Sequence, residues 1–220
     1  VITFIGVAKG ELGAFFQAYL RSLGAEIDIS GPLTQVGILP GGRAKFRIQR
    51  SRDVPRCVGN DGLGGYDFGM TGNDVAWDEI YAGNGNIGMG AGLQKKAKEF
   101  GYGGLLGKLA VLGREGIESK KDKLKVAVSD YYPNIARKEL QDMGLGPKDY
   151  DLVIYQGAVE GYLSGDNYDL AIDTIFSSDT IKEENKELAK HGKAPISVVR
   201  NIMDTYPLII YDNRKYGLLT

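Results

Sequence analysis

The stretch Ala171–Leu188, AIDTIFSSDTIKEENKEL, decides how the chain is read. It combines a buried strand, a tight hydroxyl-rich turn and a helix. The first turn of a helix carries amide N–H groups without intrahelical partners at the positive end of the helix dipole, which together make an anion site. Ser177, Ser178, Asp179 and Thr180 therefore frame a candidate phosphate cradle, and Thr180 followed by Glu183 fits a capping box that would set where the helix starts. Asp179 counts against the cradle, because a carboxylate among phosphate donors repels the ligand. Taken alone, the turn reads as an ordinary capped helix after an ordinary strand; its surroundings give it a second meaning.

The 220 residues are 43% hydrophobic and 25% charged, enough for one sizeable core or two small ones. The 27 basic and 28 acidic residues nearly cancel, so no global field favours nucleic acid or an anionic membrane, and phosphate chemistry must come from a local site. Cys57 is the sole cysteine, which excludes an intrachain disulfide and suits a reducing, cytoplasmic setting. No apolar run approaches the roughly 18 residues of a membrane span, and no signal-peptide pattern is present. The 32 glycines follow no repeat and point to turns and close backbone approaches.

Working outward, Ile2–Ala8 reads as a strand, Lys9-Gly10 as a turn, and the residues to Leu23 as a helix stopped by Gly24. Lys45–Gln49 is the next strand, after which Ser51 can cap a short helix opened by Asp53-Val54-Pro55. Tyr66–Met70 reads as a strand and Thr71-Gly72-Asn73-Asp74 as its turn into a helix ending near Ile80. The glycine-rich, then lysine-rich segment Tyr81–Gly104 is expected to be a mobile excursion or an interdomain crossing. Further strands are expected at Lys108–Leu112, Leu124–Val128, Leu152–Gln156 and Leu170–Phe176, with a charged turn through Glu118–Lys123 and a helix from Asn134 to Met143. Two extended runs, Ile196–Met203 and Leu208–Tyr211, end the sequence. The alternation predicts an α/β protein of two lobes, each a mainly parallel sheet flanked by helices. Residues 1–95 and 190–220 form the first, discontinuous lobe, and 96–189 the second, inserted one.

On this map six polar groups each fall just past the carboxyl end of a predicted strand: Lys9, Arg50, Thr71–Asp74, Tyr131–Asn134, Gly157–Glu160 and Ser177–Thr180. Ligands of open α/β sheets bind at that edge, and two lobes carrying such edges predict a ligand cleft between them. Each group alone also fits a plain structural role, such as a solvated turn or a helix cap. Familiar catalytic sets are missing. His191 is the one histidine and reads as a surface residue, so no zinc site or histidine-assisted nucleophile is expected. No nucleotide P-loop occurs, and the G-x-G-x-x-G match at Gly83–Gly88 follows a helix, not a strand. Cations, amides, hydroxyls and a few carboxylates suit phosphate-bearing substrates whose chemistry needs positioning and charge stabilisation.

These motifs resemble the ATP phosphoribosyltransferase family over nearly the whole chain. The family's KGRL-type turn is matched by Lys9-Gly10-Glu11-Leu12, its Arg-x-x-Asp-Ile-Pro segment by Arg50–Pro55, and its D-L-G-I-T-G-x-D segment by Asp67–Asp74. Its tyrosine-proline-asparagine turn is matched by Tyr132-Pro133-Asn134, its G-S-V-E turn by Gly157-Ala158-Val159-Glu160, and its phosphoribosyl diphosphate loop by Asp173–Ile181. The resemblance implies a fold like that of type II periplasmic binding proteins, with ATP and phosphoribosyl diphosphate in the cleft and Mg2+ held mainly by substrate phosphates, with no protein metal ligand assigned. It implies phosphoribosyl diphosphate contacts at Asp173, Ser177, Ser178, Asp179 and Thr180. Nucleotide contacts are implied at Lys9, Arg50, Thr71, Gly72, Asp74, Tyr132 and Asn134, and roles in catalysis for Lys9, Arg50 and Glu160. It implies the family's short form, a homo-oligomer working in complex with a regulatory subunit resembling histidyl-tRNA synthetase.

The sequence departs from the family at Glu11, where arginine is usual, and at Ser178, which replaces a loop glycine. If the backbone there were left-handed, a non-glycine residue would cost on the order of 1 kcal/mol. The departures leave open a relative acting on another base, or an inactive paralogue that binds nucleotide. The shared fold also leaves open a small-anion receptor.

Overall fold

The computed structural model describes residues 3–27, 34–39, 42–63, 65–114, 123–157, 159–165, 167–176 and 178–217, with side chains outside the description at 34–36, 160, 165 and 178–180. The chain divides into two compact units, Val1–Leu106 with Tyr206–Thr220, and Gly107–Thr205.

The first unit holds a six-stranded sheet. Its strands are β1 (Thr3–Ala8), β2 (Thr34–Leu39), β3 (Gly42–Gln49), β4 (Phe68–Gly72), β5 (Ile87–Gly92) and β11 (Pro207–Asp212), in the order β2-β3-β1-β4-β11-β5. β1 is parallel to β3 and β4, while β2, β11 and β5 pair antiparallel. Successive strand residues face opposite sides, and β1 is covered on both. Ile5 and Val7 pack with Phe46 and Met70 against Phe15, Phe16 and Leu20 of helix α1 (Glu11–Ser22). The other face carries α2 (Asp53–Cys57) and α3 (Asn73–Tyr81), around a core of Val58, Tyr66, Ala76, Leu208 and Ile210. Gly24, at φ 84, ends α1 where the sequence places its stop.

The segment Tyr81–Gly104, expected to be a mobile excursion or an interdomain crossing, is instead part of this unit. β5 pairs with β11, helix α4 (Gln94–Glu99) follows, and Leu93 and Ala97 lie in the core beneath Phe100 and Tyr102. The glycines of β5 are packing devices: a Cβ on Gly88 would overlap the Tyr211 ring, and one on Gly90 would lie 2.6 Å from the Ile209 carbonyl oxygen.

The second unit holds β6 (Gly107–Arg114), β7 (Leu124–Ser129), β8 (Tyr150–Tyr155), β9 (Leu170–Ile175) and β10 (Ile196–Thr205), in the order β10-β6-β9-β7-β8. β9, β7 and β8 run parallel, and β6 and β10 antiparallel to their neighbours. Helix α5 (Pro133–Asp142) starts with proline in its first turn, where no donor is needed, and buries Ile135, Ala136 and Leu140. Helix α6 (Ser178–Lys190) buries Leu188 against Ala110, Leu112, Ala127 and Ala171. The α/β class holds, with both sheets mixed rather than mainly parallel because β2, β11, β6 and β10 pair antiparallel with their neighbours. The expected charged turn before β7 lies largely outside the described residues. No helix among the described residues is long and apolar enough to cross a membrane.

Candidate functional site

Parallel strands deliver their carboxyl ends to one edge. In the first sheet Ala8 lies opposite Gln49 and Val7 opposite Met70, so the turns after β1, β3 and β4 leave the sheet side by side. The Lys9 N–H donates to the Gln49 carbonyl at 2.7 Å, and Gly10 takes φ 76 to swing the exposed Lys9-Gly10-Glu11 turn into α1. Arg50, with 48% of its side chain exposed, donates through Nε to Asp53 Oδ2 at 2.8 Å. Asp53 also has Arg52 at 3.9 Å and Arg56 at 3.8 Å, and Arg56 reaches Glu79 at 3.5 Å. Three guanidinium groups thus surround Asp53. Burial pushes the Glu79 carboxyl above its ordinary range, against the opposing pull of Arg56.

Ser51 does not cap α2; the cap position falls to Arg52, without a side-chain bond. The Ser51 hydroxyl meets the Thr71 hydroxyl at 2.7 Å, and Thr71 Oγ1 also donates to the Ser51 carbonyl at 3.0 Å. Thr71 is fully buried, so it latches the Arg50 turn to the end of β4. The Asp74 carboxylate folds back over Gly72, filling the space a Cβ there would need. Asn73 exchanges hydrogen bonds with the Tyr206 backbone at 3.0 and 2.7 Å, fixing the start of α3.

The second sheet gathers the remaining three turns on the edge shared by β9, β7 and β8. The Tyr132 hydroxyl accepts from Thr174 Oγ1 at 2.7 Å, and Asn134 Oδ1 accepts from Arg137 at 3.3 Å. Asp173 is buried: its Oδ2 accepts from the Val159 N–H at 2.7 Å and its Oδ1 from the Thr174 N–H at 2.8 Å. It therefore ties the Gly157–Glu160 turn to β9. Ser177 lies outside the described residues, as do the side chains of Glu160, Ser178, Asp179 and Thr180. Helix α6 begins at Ser178, so Thr180 belongs to the first turn instead of capping from outside it. Helical backbone at Ser178 also removes the left-handed strain its replacement of glycine would have carried. Sequence reading missed Ser51, Asp53 and Thr174 as the partners that hold these turns. Only Asp53 left a local sign, three residues after Arg50.

Among the described residues no group of three His, Cys, Asp or Glu could hold a metal ion. His191 is exposed and lies 3.5 Å from Glu187.

Two mixed α/β sheets, each with loops and helix starts at the carboxyl edge of its parallel strands, define a two-unit α/β protein. The family described as HisG: ATP phosphoribosyltransferase matches residues 50–193, a span holding five of the six motifs. The chain belongs to the ATP phosphoribosyltransferase family. A relative from Rhodococcus erythropolis, named ATP phosphoribosyltransferase, is 29% identical over 146 residues; the match spans 66% of this chain and 45% of that protein. Among solved structures, the ATP phosphoribosyl transferase (HisG:HisZ) complex from Thermotoga maritima superposes with TM-score 0.70 at 15% identity, covering 98% of this chain and 90% of that one. YhfZ from Shigella flexneri superposes with TM-score 0.54 at 12% identity, covering 99% and 80%. These two likenesses are of fold.

Proposed function

We propose that the chain performs its family's reaction, moving 5-phosphoribosyl from phosphoribosyl diphosphate to a ring nitrogen of ATP, the first step of histidine biosynthesis in the cytoplasm. The observation that supports it most is the start of α6 directly after β9, flanked by the braced Gly157–Glu160 turn, within the span that matches the family.

The ring nitrogen's lone pair attacks the anomeric carbon, the carbon–oxygen bond to pyrophosphate breaks, and the electron pair leaves with pyrophosphate. Catalysis needs charge stabilisation and no protein nucleophile. First-turn amides of α6, with Ser177, Ser178 and Thr180, hold the 5-phosphate. Lys9 and Arg50 offset phosphate charge, Arg50 with its fork steadied by Asp53. Glu160 and Asp74 serve hydroxyl, base or metal contacts. Magnesium, if required, would be held mainly by the substrate phosphates, with no protein ligand assigned, and would supply charge neutralisation for the leaving group. A synthetase-like regulatory subunit completes the proposal; the Thermotoga maritima structure is itself a HisG:HisZ complex.

The test is incubation with ATP, phosphoribosyl diphosphate and magnesium, with and without the synthetase-like subunit from the same source, followed by mass spectrometry for phosphoribosyl-ATP. Product is expected, and more of it with the subunit; none under either condition refutes the reaction. In the double variant Ser177→Ala, Thr180→Ala, affinity for phosphoribosyl diphosphate should fall at least about tenfold, since each hydrogen bond to a charged group contributes about 1.5–3 kcal/mol. ATP affinity should change much less. Unchanged phosphoribosyl diphosphate binding by calorimetry would remove the cradle from the mechanism.

A further inference from the structure

Successive residues of a strand point to opposite faces of its sheet, and the end of β9 uses both. Asp173 pairs with Ala110 of β6, which lies in the core that Leu188 of α6 covers, so Asp173 faces α6. Thr174, paired with Leu109, faces the other side, where its Oγ1 donates to the Tyr132 hydroxyl at 2.7 Å. Tyr132 is buried and takes the cap position of α5, yet its side chain makes no capping bond. Its N–H donates to the Ser129 carbonyl at 3.0 Å and its carbonyl accepts from the Ala136 N–H at 2.9 Å, which ties the backbone of this turn to β7 and α5. The far end of the ring is tied to β9 instead. Threonine is branched at Cβ and stiff about χ1, so the strand sets the direction of the Thr174 hydroxyl.

We propose that Thr174 is a positioning residue for phosphoribosyl transfer, its hydroxyl fixing Tyr132 against β9 so that the Tyr132–Asn134 turn meets ATP in one register. This rests on the proposed function and on the nucleotide contacts that the family resemblance gives Tyr132 and Asn134. The effect is one of direction more than of packing. Thr174 is half-buried and valine has its shape, so that substitution keeps the apolar contacts and removes the hydrogen bond alone. The bond spans 42 residues and joins two neighbouring parallel strands through their outgoing turns, β7 through Tyr132 and β9 through Thr174 itself. Without it the turn keeps its backbone bonds to Ser129 and Ala136 but loses this side-chain tie to β9.

The experiment compares Thr174→Val with Thr174→Ser in the full chain, with the regulatory subunit present if turnover requires it. The readouts are kcat/KM for ATP and, by calorimetry, affinity for phosphoribosyl diphosphate. Loss of a hydrogen bond between neutral groups predicts a fall of about three- to tenfold in kcat/KM for ATP in Thr174→Val, with phosphoribosyl diphosphate affinity unchanged. Thr174→Ser keeps the hydroxyl and should recover most of the loss. Because Thr174 acts through Tyr132, adding Thr174→Val to Tyr132→Phe should cost nothing beyond Tyr132→Phe alone. Should the valine variant fail to fold, Thr174→Ala carries the same prediction. A valine variant equal to wild type overturns the positioning role, and so does an equal loss of phosphoribosyl diphosphate affinity, which marks a general loosening of β9. A serine variant as impaired as valine overturns the hydroxyl as the cause; additive losses in the double variant overturn the route through Tyr132. A wild-type protein that makes no phosphoribosyl-ATP overturns the proposed function itself, so that failure shows in wild type and failure of the positioning role shows in the variants.

Discussion

Thr71 and Asp173 show how a residue can sit at the candidate site edge while its polar atoms are engaged by the protein. Thr71 is buried and its hydroxyl is shared with Ser51, so its effect on any nucleotide passes through the Arg50 turn. Replacing Thr71 by valine keeps the shape but leaves the Ser51 hydroxyl without this partner, which should destabilise the protein by about 1–2 kcal/mol. Thr71→Ser should recover most of that. Urea unfolding of the two variants checks it, and equal stability of valine and wild type would mean the latch contributes nothing. At this scale the sequence revealed residue types and their place on a strand end, but not their engagements. The partners of Thr71, Asp173 and Tyr132 are 20, 14 and 42 residues away, beyond any local pattern. The missed cap at Ser51 has the same origin: a serine before a helix fits an N-cap, and a tertiary bond won over the local one.

Element positions depend on where the sheet leaves room. Gly6 and Gly69 are register partners on β1 and β4, and both lie under α2. A Cβ on Gly6 would come within 2.7 Å of the Tyr66 ring, and one on Gly69 within 2.8 Å of Val54 and Ile210. This glycine notch lets α2 approach the sheet, and α2 is what carries Asp53, with Arg56, to Arg50. Gly69→Ala should therefore cost about 1–3 kcal/mol by overpacking, and it should weaken phosphate binding more than its distance from the edge suggests, because α2 is displaced. Thermal unfolding with calorimetric titration tests both effects; a fully stable alanine variant would rule out the notch. Apolar strands such as β1, β7 and β9 were legible because a run buried on both faces has few other readings. β5 was not: Ile87–Gly92 holds three glycines, which have low strand propensity and read as loop, although here they admit Tyr211 and the β11 backbone. β2 escaped notice as well, and the antiparallel pairings of β10 with β6 and of β11 with β4 join distant segments that periodicity does not encode.

On the scale of the whole molecule, the first unit is completed by a segment that returns to it after the second. β11 enters between β4 and β5, so the six-stranded sheet is discontinuous without it. Charge fixes this return at the edge opposite the candidate turns. Arg214 donates to buried Asp212 at 2.8 Å and to Asp61 at 3.1 Å, and Lys215 reaches Asp67 at 2.7 Å, linking positions about 150 apart. Hydrogen bonding to Arg214 is the main reason the Asp212 carboxyl is held below its ordinary value of 3.8. The sign of the pH effect follows from that direction. Between the lowered folded value and 3.8 the unfolded chain binds a proton that the folded protein does not, so the contribution is complete above about pH 4 and is lost as pH falls through the folded value. Asp212→Asn removes the charge but keeps the volume. It should lower stability at pH 7 by about 2 kcal/mol, as expected for a charge-assisted hydrogen bond with Arg214 still 41% exposed to water. The gap between variant and wild type should then narrow as pH is lowered from 5 toward 2. Denaturant unfolding across that range measures it, and a gap that stays constant with pH would show that Asp212 acts through shape and not through its charge.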